Sequence, residues 1–106
     1  MSRYRVRMTR AAEEDLLRLY DYLIERELAQ GGDLSLAERA ISAIRDALQV
    51  LATTPYTCRK ADLGNGRSRE LIIPFGGSGY ILLFEIVGDD IVVGAVRHQR
   101  EEDYRH

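Results

Sequence analysis

Residues 69–104 read RELIIPFGGSGYILLFEIVGDDIVVGAVRHQREEDY, and this stretch decides the fold. Three runs within it, Arg69 to Pro74, Tyr80 to Val87 and Ile91 to Arg97, are rich in Ile, Leu, Val, Phe and Tyr, and a glycine-bearing turn divides each from the next. β-Branched and aromatic residues bounded in this way predict an antiparallel meander of three strands. The glycines between Phe75 and Tyr80 permit positive φ, and Gly88-Asp89-Asp90 is short enough to force its flanking strands antiparallel. The stretch closes on Arg97-His98-Gln99-Arg100-Glu101-Glu102-Asp103-Tyr104, the one polar cluster placed to carry function.

Upstream, the chain is built to support this sheet. Tyr4, Val6 and Met8 alternate with Arg3, Arg5 and Arg7, the period of two expected of a short strand with one apolar face. Thr9 then caps a helix whose first turn carries Glu13, Glu14 and Asp15, favourable beside the positive end of the helix dipole. Ala12, Leu16, Leu19, Tyr20 and Leu23 form its buried stripe, which Leu17, Ile24 and Leu28 widen. Gly31-Gly32 stops it. Ser35 and Glu38 have the spacing of a capping box opening a second helix, with Ala37, Ala40, Ile41, Ile44, Leu48 and Leu51 on its inner face. Leu16, Leu23, Ile44 and Leu48 are expected to join the two helices into an antiparallel hairpin. Pro55 ends the second helix, and a polar connection with a short edge strand near Cys58 to Lys60 leads into the meander.

The 106 residues suit one domain, 1–106, with one core. The fold class is α+β, in two layers: an N-terminal strand, a helix hairpin and an antiparallel meander. A formal charge of -2 argues against a strongly basic, nonspecific nucleic-acid binder, although arginines cluster locally. Of the 15 basic residues only Lys60 is a lysine. A lone Cys58 forms no internal disulfide, and no Cys/His set suits zinc, so neither metal nor cofactor is expected and a reducing, cytoplasmic setting is the simplest reading. No uninterrupted apolar stretch reaches the length of a signal peptide or membrane span. The Gly76-Gly77-Ser78-Gly79 run lacks the lysine and following helix of a nucleotide loop and reads as a turn.

A helix hairpin covers one face of a sheet, so the other should alternate to polar residues. Here both faces read as apolar. Tyr80, Leu82, Phe84 and Ile86 oppose Ile81, Leu83, Glu85 and Val87, while Ile91, Val93 and Ala95 oppose Val92, Gly94 and Val96. Either loops and the C-terminal tail cover the second face, or a partner protein does, since contiguous apolar patches mark interaction sites. Ile72, Ile81, Leu83 and Val93 are the residues expected to meet that partner.

The order of elements resembles the RelE/ParE superfamily of bacterial type II toxins over almost the whole chain. The resemblance rests on Arg69-Glu70-Leu71 entering the meander, Gly79-Tyr80-Ile81-Leu82-Leu83-Phe84-Glu85 as its middle strand, and the His98-Gln99-Arg100 exit. It implies a last strand lying inside the sheet beside the first, helices on one face, and a cognate ParD-like antitoxin on the under-covered surface in a hetero-oligomer. It also implies one of two activities: ParE-like members inhibit DNA gyrase, and RelE-like members cut messenger RNA on the ribosome. The long hairpin and the His-Gln-Arg ending look more like the ParE branch, in which Arg97, His98, Gln99 and Arg100 would contact the target. Under the alternative, Arg69, His98 and Tyr104 fall near catalytic positions, with Lys60 a further cation, whereas the usual lysine cluster is missing. His98 would then take a ribose 2′-hydroxyl proton. Against these roles stand plainer ones: a strand-end histidine capping carbonyls, arginines paired with Glu101, Glu102 and Asp103, and a Tyr104 packed back on the fold.

Overall fold

A computed structural model describes residues 3–61, 66–76 and 78–99. The strands β1 (Arg5–Met8), β2 (Arg59–Lys60), β3 (Ser68–Phe75), β4 (Ser78–Val87) and β5 (Asp90–His98) form a five-stranded sheet in the order β1-β5-β4-β3-β2. The meander β3-β4-β5 is antiparallel, and β1 joins β5 in parallel, Val6 opposite Ile91. The last strand is thus interior and beside the first. Gly76 and Gly88, both near φ +60°, make the two meander turns in a conformation that L side chains rarely adopt.

Helices α1 (Arg10–Gln30) and α2 (Ser35–Leu51) form the hairpin. Thr9 accepts a hydrogen bond from the Ala12 amide at 3.1 Å, capping α1 as its sequence implies. At the other end Gly31 is left-handed and the Gly32 amide donates back to the Glu27 carbonyl at 2.8 Å. The start of α2 differs from the expected capping box. Ser35 is already helical with Leu34 at the cap position, and the Asp33 carboxylate accepts from the Ser35 amide at 2.9 Å and the Ser35 hydroxyl at 2.7 Å. A carboxylate two residues earlier outcompetes the hydroxyl for the free amide.

The core lies between the hairpin and one sheet face, where Leu19, Leu23, Ala40, Ile44 and Leu51 meet Ile73, Leu82, Phe84, Ile91, Val93 and Val96. Leu16 and Leu48 are only half-buried at its margin. Leu17 and Leu28 do not widen the α1 stripe: they are 65% and 63% exposed. At about 100° per residue each stands roughly opposite Leu19 around the helix. The buried row is instead Ala12, Asp15, Leu19, Leu23 and Glu27.

One irregularity sets the faces of β5. Leu83 pairs with Ala95 and Phe84 with Val93, so Gly94 is an extra, bulged residue. The bulge breaks the simple alternation expected of this strand: Val93 and Val96 both enter the helix-side core, while Ala95 joins Ile81 and Leu83 on the other face. Val93 is therefore fully buried in the main core rather than part of a partner surface.

Candidate interaction surface and strand exit

The helix-free face carries its own small apolar cluster, Ala61, Ile81, Leu83 and Ala95. Ile81 and Leu83 are 7% and 8% exposed, so this face is narrower as an apolar surface than its sequence suggests. Ile72 is exposed at 36%, and Val87 at the end of β4 at 57%. Beside the cluster runs an open groove of 440 Å³, lined by Ser68, Leu83, Glu85, Val92, Ala95 and Arg97 among others. Cations around it are matched to carboxylates: Arg5 and Arg7 reach Asp90 at 3.6 and 3.4 Å, Arg67 reaches Glu85 at 4.0 Å, and Arg59 pairs with Glu70.

Beyond Met8, β1 no longer covers the outer edge of β5, and the start of α1 takes its place. The Thr9 amide donates to the Val93 carbonyl at 3.0 Å. Asp15 then accepts from the Val96 amide at 2.9 Å, satisfying a strand-edge donor with a helix side chain. The same carboxylate takes Arg97 Nη1 at 2.7 Å and Arg18 at 2.8 Å. Asp15 and Arg97 are each 1% exposed. Burial pushes the Asp15 carboxyl upward, but the Val96 amide, Arg18 and Arg97 together outweigh it and hold the group below its ordinary 3.8. Arg97 Nε and Nη2 find no hydrogen-bond acceptor.

Arg97 is thus not the surface cation expected at the strand exit, because its guanidinium is committed to Asp15 inside the fold. The helix partner was missed, since Asp15 reads as one of three acids at a helix start. Its position three residues after Ala12 and four before Leu19, on the buried row, was the available signal.

Of the residues of the nuclease alternative, Arg69 and His98 are not brought together. Arg69, half-buried on β3, donates to the Cys58 carbonyl at 2.7 Å and lies over the Tyr56 ring at 5.1 Å. His98, half-buried at the end of β5, meets the Tyr80 ring edge-on at 5.6 Å, and Tyr80 in turn packs against Phe75. Arg69 pairs with Phe84 and His98 with Tyr80. Four residues along β4 and two strands across put the two backbones about 16 Å apart. Burial raises the Tyr80 hydroxyl, opposed by Arg26, so it stays a neutral phenol near neutrality. Burial likewise raises the Cys58 thiol, with Arg69 opposing. Lys60 is exposed on the two-residue edge strand β2. Gln99 is exposed, and its amide donates to the Gly79 carbonyl at 2.7 Å. Arg100 and Tyr104 lie outside the described residues. Among the described residues no group of three His, Cys, Asp or Glu could hold a metal, and no helix is long and apolar enough to cross a membrane.

A helix hairpin on one face of an open sheet, with the last described strand inside and a groove on the bare face, is the two-layer α+β fold that the resemblance implies. Residues 6–103 match the model of the ParE toxin of the type II toxin–antitoxin system parDE, and the chain belongs to that family, within the RelE/ParE superfamily. It is 33% identical over 93 residues to Toxin RelE3 of Caulobacter vibrioides, covering 85% of this chain and 88% of that one. Its fold is shared with the chromosomal ParDE system from P. aeruginosa, at TM-score 0.70 and 18% identity over 90% of this chain and 95% of that one. The RelBE2 toxin–antitoxin complex from Mycobacterium tuberculosis gives TM-score 0.58 and 22% identity, over 92% and 99%.

Proposed function

We propose that this type II toxin acts by binding DNA gyrase, as the ParE branch does, and that a cognate ParD-like antitoxin neutralises it by covering the helix-free face. The observation that carries the binding reading is the state of the cations. Those framing the bare face are paired with Asp90, Glu70 and Glu85, Arg97 is buried on Asp15, and Arg69 and His98 serve separate local contacts. Stabilising a strained phosphate while moving protons needs convergent groups within hydrogen-bond reach of one reacting centre. A binding surface needs no such convergence. The strip left for the target is His98, Gln99 and Arg100, with Arg97 serving the fold beneath it. The residues offered to the antitoxin are Ile72, Ile81 and Leu83.

The rival is a ribosome-dependent messenger RNase of the RelE type, the branch whose name the relative Toxin RelE3 carries. Brief induction in bacteria, read for DNA-damage signalling and message integrity, separates the two. Damage signalling with intact messages, and loss of supercoiling when the purified toxin is added to gyrase, is the expected result. Immediate message cleavage on ribosomes overturns it.

A further inference from the structure

We propose that the groove on the helix-free face is a carboxylate-recognition site, in which the buried Arg97 receives one acidic side chain of the antitoxin flanked by an apolar one. The inference rests on the reading that an antitoxin covers this face, and it names the chemistry of the contact. Arg97 is 1% exposed and lines the groove, yet only Nη1 is used, by Asp15 and the Val96 carbonyl. Nε and Nη2 have no hydrogen-bond partner. These two nitrogens are one edge of the guanidinium fork, the pair of parallel N–H donors that a carboxylate accepts bidentately.

A buried cation with half its donors idle is costly unless something completes it. Asp15 does not, because its two oxygens are shared among Arg97, Arg18 and the Val96 amide. Arg18 is exposed and lies among Glu14, Asp21 and Glu25, so what this corner needs is an acceptor for Arg97 Nε and Nη2, which a second carboxylate supplies. Around it Leu83, Val92 and Ala95 supply apolar wall for the side chain beside the carboxylate. Glu85, on the same groove, is held by Arg67 at 4.0 Å and sits level with Val92 rather than with Arg97, whose ladder partner is Ile81. An acidic-apolar segment therefore fits the groove, and a basic one does not.

The test uses the toxin in complex with its co-expressed cognate antitoxin, measuring affinity while each antitoxin Asp or Glu is changed to Asn or Gln. One such change is expected to weaken binding at least tenfold with wild-type toxin and to have little further effect with Arg97→Lys, which keeps a charge for Asp15 but loses the fork. Gly94 gives a second route that leaves the buried pair untouched. It lines the groove, a Cβ built there meets nothing within 4 Å, and its φ is not positive. Gly94→Asp should weaken the complex at least tenfold more than the isosteric Gly94→Asn, by setting a resident carboxylate beside the site. Tight binding in which no antitoxin acid couples to Arg97, and Gly94→Asp equals Gly94→Asn, overturns the carboxylate site while leaving neutralisation by an antitoxin standing. Absence of any antitoxin complex with the wild-type toxin overturns both.

Discussion

Asp15 holds more of this structure than any other single side chain described, because it closes a strand edge, ties α1 to β5 and neutralises a buried arginine. Removing one partner of a buried pair strands the other. Asp15→Asn should therefore cost about 3–5 kcal/mol in chemical denaturation. The double change Asp15→Asn with Arg97→Met, which removes both charges and keeps an acceptor for the Val96 amide, should recover most of that loss. Acid gives an independent reading. The Asp15 carboxyl is held below its ordinary value in the fold, so its contribution is complete above the unfolded value of about 3.9 and disappears as pH falls through the folded one. The stability gap between wild type and Asp15→Asn should be constant from pH 7 to 5 and shrink below about pH 4; a gap that widens in acid would show that the carboxyl is not depressed.

The hairpin places its weight unevenly. Ile44 is fully buried and Leu48 half-buried, so Ile44→Ala should cost about 2–5 kcal/mol and Leu48→Ala distinctly less, measured on the same denaturation curve. At the start of α2, Asp33→Ala should lower the melting temperature and Glu38→Ala should not, since Asp33 alone holds the first amide. Helices, turns and strand order were legible in the sequence because period, caps and glycines are local signals. Thr9, Gly31 and Gly88 could be read directly. The bulge could not be, because Gly94 looks like any small residue in a run of valines and only its pairing with β4 reveals the extra position. That one residue misplaced Val93 and Ala95, and with them part of the expected partner surface. Arg97 was misread for a related reason: nothing near it in sequence announces that its counterion lies 82 residues away. Deleting Gly94 removes the bulge and lets Val93, Ala95 and Val96 alternate opposite Phe84, Leu83 and Leu82 on the faces they already hold, so both this deletion and Gly94→Ala should keep a cooperative unfolding transition.

Under the proposed function, the target meets the strip that leaves β5. If the toxin works by binding, energy is spread over several of these residues. Arg100→Glu should then reduce inhibition of gyrase supercoiling more than His98→Ala, with both variants still folded and still bound by antitoxin. Complete loss with His98→Ala alone would point to proton transfer instead, where a reduction of roughly 10²- to 10⁴-fold is the norm. The sheet also has a temporal side. β5, the last of the described strands, lies between β1 and β4, and among the described residues β1 has no other neighbour in the sheet. Until β5 exists, the first strand has no described neighbour to dock on and the hairpin has no Val93 or Val96 beneath it. Contacts of such separation form late. A ribosome that stalls before β5 leaves a fragment with an unclosed centre rather than a weaker poison, so the architecture makes toxicity conditional on the synthesis of that strand.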